Sequence, residues 1–155
     1  MLSSRSSRGG ARVLVIDDDD IVLESIRTLL SAAGYEVHCL ASPIGATQFI
    51  VTRQIQAVVV DLNMPVMQGD RFISLLRSWD KIRSIPTILL SGAAPETLQA
   101  VAGKLPGVLA VSKDSMHRAL PETLGRILSR PSTGRASTAD NGNADTSALR
   151  GKRVK

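Results

Sequence analysis

Residues 57–65 read Ala57-Val58-Val59-Val60-Asp61-Leu62-Asn63-Met64-Pro65. Four apolar residues run directly into one carboxylate. A short, continuous, β-branched run closed by a proline-containing turn predicts a strand buried on both faces, as in a parallel sheet. Asp61 then lies at the carboxyl end of that strand, which is where open α/β sheets place their ligand crevice. An aspartate that merely starts a turn is the alternative. The two readings separate on how many other polar residues stand at equivalent strand ends.

Working outward, the same grammar repeats. Arg12 to Ile16 predicts a strand, followed at once by Asp17-Asp18-Asp19-Asp20. Val22, Ile26, Leu29 and Leu30 then mark one helical face that Gly34 ends. Asp19 or Asp20 suits the N-cap, since a carboxylate there accepts the free N–H groups of the first turn. The first two aspartates therefore end a strand and the last two start a helix. Tyr35 to Leu40 predicts a second strand, and Ser42-Pro43 opens a second helix with Ile44, Phe49 and Ile50 as buried candidates. The third strand is Ala57 to Leu62. A helix from Gly69 to Trp79 follows, with Phe72, Ile73, Leu75 and Leu76 for its apolar face. Pro86 to Leu90 predicts the fourth strand, ending at Ser91-Gly92. Pro95 begins a helix to about Gly103. Val108 to Val111 is the fifth strand, ending at Ser112-Lys113. Leu120, Leu124, Ile127 and Leu128 mark the last helix, with its regular part starting near Pro121 or a kink there.

Five strand–helix units in strict alternation with short connections predict a doubly wound α/β fold, a parallel sheet with helices on both faces. The flavodoxin-like order 2-1-3-4-5 is the expected five-stranded arrangement. The chain has 155 residues and is 43% hydrophobic, enough for one domain with a sizeable core, but only 3% aromatic, so the core is expected to be aliphatic. The expected layout is a basic disordered segment over 1–11, the folded body over 12–130, and a basic polar tail over 131–155 without periodicity. The pI near 10 invites a nucleic-acid reading. The body argues against it, holding eleven Lys/Arg against twelve Asp/Glu between residues 13 and 130; the excess charge sits at the two ends. The basic tail is left at most a weak polyanion contact. A single cysteine, Cys39, excludes an internal disulfide and fits a reducing, cytoplasmic setting. No apolar stretch reaches membrane-spanning length, and residues 1–12 lack the apolar core of a secretory signal.

In the 2-1-3-4-5 order the polar strand ends converge on one crevice: Asp17 and Asp18, then Asp61 with Asn63 in the loop behind it, then Ser91, then Lys113. Two unit charges 4 Å apart repel by about 4 kcal/mol at an effective dielectric of 20, so three carboxylates there call for a counter-charge. A hard divalent cation with oxygen ligands supplies it, as Mg²⁺ does. A carboxylate nucleophile, a metal, a lysine and a hydroxyl donor together describe phosphoryl transfer to Asp61.

These residues carry a family resemblance. Val13-Leu-Val-Ile-Asp-Asp18, Val60-Asp-Leu-Asn-Met-Pro65 with Gly69, Leu90-Ser-Gly92 and Lys113 resemble the receiver domain of two-component response regulators over about residues 13–130. The resemblance implies that Asp61 accepts a phosphoryl group from a histidine kinase or phosphotransfer protein. It implies that Asp18, Asp61 and the backbone carbonyl of Asn63 bind Mg²⁺ directly, with Asp17 acting through water. Lys113 is implied to hold a phosphoryl oxygen or, in the unphosphorylated protein, Asp61 itself, and Ser91 to move toward the phosphoryl group and report its presence. Hydrolysis of the acyl phosphate then resets the protein. Two positions depart from the family: Asp114 stands where proline usually follows the lysine, and Ala110 where Tyr or Phe usually precedes it by three.

The polar segment after Pro131 is too short for a helix-turn-helix. The expectation is a stand-alone phosphoacceptor, not an enzyme with turnover, whose output is contact with a downstream protein. Ala110 and Asp114 motivate an alternative, a phosphorylation-independent scaffold of the same fold. A haloacid-dehalogenase-type phosphatase also uses a nucleophilic Asp and Mg²⁺, but Asn63 occupies the place of its second acid and no cap domain is present. Asp19 and Asp20 are expected as cap and surface residues, Cys39 as a buried small apolar one, and His38 and His117 as structural or exposed. Met64 and Met67 are expected as local packing, and Trp79 as an edge-packing residue or partner anchor.

Overall fold

The computed structural model describes residues 10–129. The segments 1–9 and 130–155, on which most of the expected basic termini fall, lie outside the described residues. The elements alternate as predicted: β1 (Arg12–Ile16), α1 (Asp20–Ala32), β2 (Glu36–Leu40), α2 (Ala46–Thr52), β3 (Ala57–Asp61), α3 (Gly69–Arg77), β4 (Thr87–Ser91), α4 (Pro95–Gly103), β5 (Val108–Ser112), a 3₁₀ turn (Lys113–Ser115) and α5 (Met116–Ser129). The five strands form one sheet in the order β2-β1-β3-β4-β5, and every pairing is parallel. Pairing reaches one residue ahead of β1, because the Ala11 carbonyl accepts the Glu36 N–H.

Period-two alternation along the strands sorts the core into two layers. Leu14, Ile16, Val58, Val60 and Leu89 face one side, against Ala46 and Ile50 of α2, Phe72, Ile73 and Leu76 of α3, and Leu98 of α4. Val13, Val15, Val59, Ile88 and Leu90 face the other, against Leu23, Ile26 and Leu30 of α1 and Met116, Leu120 and Leu124 of α5. Strand β3 is buried along its whole length, so its apolar run serves both layers. Each such aliphatic side chain contributes roughly 1.5–3 kcal/mol by leaving water. That rigidity is what allows a strand end to hold a charged group in place.

Local chemistry sets the helix ends. Asp19 is the N-cap of α1, its Oδ1 accepting the N–H groups of Ile21 at 2.9 Å and Val22 at 3.4 Å. At the other end Gly34 takes φ +99°, which lets the Tyr35 N–H close back on the Leu30 carbonyl.

Four apolar placements differ from the sequence reading, one of them Phe49, which is only half-buried. Ile44 is exposed, because Ser42–Gly45 form a turn, with the Ile44 N–H on Ser42 Oγ, before α2 begins at Ala46. Leu75 is 39% exposed, since Phe72, Ile73 and Leu76 already fill the buried face of α3. Cys39 is half-buried rather than buried, on an edge strand covered incompletely on both faces. The last helix starts at Met116 rather than near Pro121, which lies inside it. Proline there removes the donor to the His117 carbonyl. Met116, Leu120 and Leu124, all packed on the sheet, hold the helix across that gap.

At the amino-terminal end of the sheet Arg77 joins three segments. Its guanidinium donates to the carbonyls of Pro106 and Ile85 and to Thr87 Oγ1, each at 3.3 Å. Arg77→Ala removes all three bonds, leaving the Ile85 carbonyl only the Thr87 hydroxyl as donor, and is expected to cost about 2–3 kcal/mol in urea denaturation. Arg77→Lys should recover little, because one ammonium cannot span the three acceptors.

Candidate functional site

The site is built where β1, β3, β4 and β5 end. Asp17 follows the last residue of β1 and is fully buried. Its Oδ1 accepts the Asp19 N–H at 2.9 Å, which turns the chain sharply after the strand. Its Oδ2 lies 2.9 Å from Lys113 Nζ. No donor among the described residues is aligned on that oxygen as a hydrogen bond, so its compensation is the ammonium charge. Asp61, the last residue of β3, is 4% exposed, with Oδ1 3.2 Å from the same Nζ. Asp18 is exposed beside them. Oxygens of the Asp17, Asp18 and Asp61 carboxylates lie within 4.8 Å of one another.

One ammonium thus pairs with two of three clustered carboxylates. Burial pushes the Asp61 carboxyl above its ordinary pKa, and Asp17 adds to the rise. Lys113 opposes it without cancelling it. Burial pulls the Lys113 ammonium down, but its contacts with Asp17 and Asp61 outweigh that and hold it above its usual value. The uncompensated negative charge, the unaligned Asp17 Oδ2 and an all-oxygen donor set fit a hard divalent cation, with exposed Asp18 on the solvent side.

Each of the other predicted residues has a place. Ser91 is fully buried as the last residue of β4, with its Oγ accepting the Ala93 N–H at 3.0 Å. Parallel register puts Asp61 opposite Leu90 and Ser91 opposite Ser112, so Ser91 sits one step beyond Asp61 on the next strand. Asn63 is exposed in the loop after β3. Met64 is buried and Met67 half-buried, both against the layer containing Phe72. His38 packs edge-on to Phe49 with Nε2 2.9 Å from Glu36, and exposed His117 lies 3.4 Å from Ser25 Oγ. Neither joins the acidic cluster.

The two departures also resolve structurally. Ala110 is half-buried against the α2–α4 layer. Asp114 is exposed and is not among the ion-pair partners of Lys113, so it does not compete for the ammonium. Two contributors escaped the sequence reading. One is the Asp19 N–H that orients Asp17. The other is Ser112, whose Oγ accepts the Asp114 N–H at 3.2 Å and caps the turn that carries Lys113. A serine at the end of a predicted strand, ahead of the last helix, was the available signal.

A doubly wound parallel α/β sheet with an acidic cluster and a lysine at its strand ends defines an α/β domain of the flavodoxin-like class. The chain matches the response regulator receiver domain over residues 13–125. It belongs to that family. It is 30% identical over 119 residues to the transcriptional regulatory protein PrrA of Mycobacterium tuberculosis, covering 77% of this chain and 47% of that protein. It is 31% identical over 140 residues to the response regulator MprA of Mycolicibacterium vanbaalenii, covering 89% of this chain and 56% of the other. The chain thus spans about half the length of the curated relatives it matches. Among solved structures, a putative response regulator from Chloroflexus aurantiacus matches with TM-score 0.73 and 25% identity over 78% of this chain and 99% of that one. The chemotaxis protein CheY4 of Vibrio cholerae matches with TM-score 0.68 and 26% identity over 76% and 98%. No helix among the described residues is long and apolar enough to cross a membrane.

Proposed function

We propose that this receiver domain is a cytoplasmic phosphoacceptor whose Asp61 takes a phosphoryl group from a histidine kinase or phosphotransfer protein. The observation that carries the proposal is the buried Asp61 carboxylate, 3.2 Å from Lys113 within a cluster of three carboxylates. Lys113 holds Oδ1, which leaves Oδ2 to attack phosphorus. The O–P bond forms as the P–N bond of the donor phosphohistidine breaks, and the electron pair and a proton go to the imidazole. Asp18 and Asp61, with the Asn63 backbone carbonyl, would hold Mg²⁺ directly, and Asp17 through water. Bound there, the ion supplies positive charge to the transferring phosphoryl oxygens. Lys113 supplies a fixed cation beside Asp61, and Ser91 a hydroxyl one residue beyond Asp61 on the next strand. Hydrolysis of the acyl phosphate resets the site. Output is contact with a downstream protein.

Intact mass after incubation with acetyl phosphate and Mg²⁺ tests this. One added phosphoryl group is expected, absent in Asp61→Asn and absent when the metal is chelated. Equal uptake by wild type and Asp61→Asn would remove Asp61 from the role.

Ala110 favours a second reading, a scaffold of the same fold that does not switch. That reading expects amide spectra of the α4-β5-α5 face to be unchanged by a phosphoryl mimic, whereas a switching receiver shifts them broadly.

A further inference from the structure

We propose that Ser112 is the positioning residue for Lys113, setting the place from which its ammonium bridges Asp17 and Asp61. The inference rests on the phosphoacceptor reading for its chemistry and on geometry for everything else. Lys113 is the first residue of the 3₁₀ turn, and its Nζ must reach two carboxylates, at 2.9 Å and 3.2 Å. A small change in its backbone loses one contact or both.

Ser112 grips that turn with both of its acceptors. Its Oγ takes the Asp114 N–H at 3.2 Å and its carbonyl takes Ser115 Oγ at 3.4 Å. Ser112 itself is anchored as the last residue of β5, in register with Ser91 of β4. The grip extends from the sheet across Lys113 to the two residues after it. The first of these bonds exists only because residue 114 has an N–H. Proline there would remove that donor. It would also disfavour helical geometry at Lys113, the residue before it. Asp114, which makes no ion pair with Lys113, therefore contributes through its backbone. Its carboxylate is exposed.

The test compares wild type, Ser112→Ala and Ser112→Thr, each alone and combined with Lys113→Met. Two quantities are read: the rate of phosphoryl uptake from acetyl phosphate, and Mg²⁺ affinity by calorimetry without any phosphodonor. Ser112→Ala is expected to slow uptake about fivefold, the worth of one ordinary hydrogen bond, and Ser112→Thr to restore it. Lys113 competes with the cation for Asp17 and Asp61. Ser112→Ala should therefore tighten Mg²⁺ binding part of the way toward the Lys113→Met value, and add nothing once Lys113 is methionine. Ser112→Ala that lowers the melting temperature but leaves uptake and Mg²⁺ affinity at wild-type values would make Ser112 a helix cap only and overturn the proposal. A wild type that binds Mg²⁺ but takes up no phosphoryl group would defeat the phosphoacceptor reading, and the Mg²⁺ comparison would still decide this one. Failure of both in the wild type overturns both.

Discussion

Lys113→Met is expected to abolish phosphoryl uptake and to destabilise the fold by about 3 kcal/mol at neutral pH, the scale of breaking a buried ion pair by removing one partner. Methionine keeps most of the apolar stem and deletes the charge, so the loss reports electrostatics. The wild-type Lys113 side chain is 24% exposed, whereas those of Asp17 and Asp61 are almost wholly buried. Without it, two carboxylates face each other with little water between them. Even with Lys113 present, burial and Asp17 raise the Asp61 pKa above its unfolded value. A carboxyl shifted upward binds its proton more tightly in the native state. It therefore contributes stability below its unfolded pKa and loses that contribution as pH rises through the folded pKa. Removing Lys113 raises the folded pKa further and deepens the loss. The deficit of Lys113→Met should accordingly be largest near neutrality and shrink as pH falls through the carboxylate range. The lysine, whose own pKa is raised, keeps its contribution until pH climbs past the ordinary lysine range. Urea denaturation at about pH 7.5 and about pH 4.5 measures the difference. A deficit independent of pH would place the contribution of Lys113 in the packing of its stem.

Gly69→Ala is expected to cost about 3 kcal/mol and at least tenfold in the rate of phosphoryl uptake. The Gly69 N–H donates to the Leu62 carbonyl at 2.8 Å, folding the start of α3 back onto the end of β3. A Cβ at this position would press into the Asp61 carbonyl oxygen and lie 3.0 Å from both the Asp61 carbonyl carbon and Leu62 Cα. All three are backbone atoms of a strand end buried on both faces and cannot swing aside as a side chain does. Overpacking of this kind costs about 1–3 kcal/mol, and the movement that relieves it displaces Asp61. Displacement of a reacting group by about 1 Å costs on the order of a hundredfold. Stability comes from chemical denaturation and uptake from intact mass. Wild-type uptake in a destabilised Gly69→Ala would show that the loop yields while Asp61 stays in place.

Much of this was legible in the chain because the relevant patterns are local. The continuous apolar runs Val13–Ile16 and Val58–Val60 report strands buried on both faces, and the four-residue spacing of Leu120 and Leu124 reports a helical face through the period of 3.6. Five such units in alternation restrict the topology through right-handed crossovers, and the strand order followed. The misplacements fall where periodicity is indifferent. Leu75 fits the apolar face of a helix as a letter, but Phe72, Ile73 and Leu76 had already filled it. Ile44 sits beside a helix start that came three residues later than its Ser-Pro suggests.

The sequence by itself determined the doubly wound sheet, its two apolar layers, and the strand ends that carry Asp17, Asp61, Ser91 and Lys113. Only the tertiary structure decided which aspartate of the run 17–20 is buried against the lysine, and that Asp114 makes no ion pair with it. It also revealed Gly69 resting on the backbone of Asp61 and Ser112 holding the turn of Lys113. The physical reason is one of range. Periodicity and capping act between residues a few positions apart, whereas charge pairing and close backbone approach depend on which segments the finished sheet sets side by side.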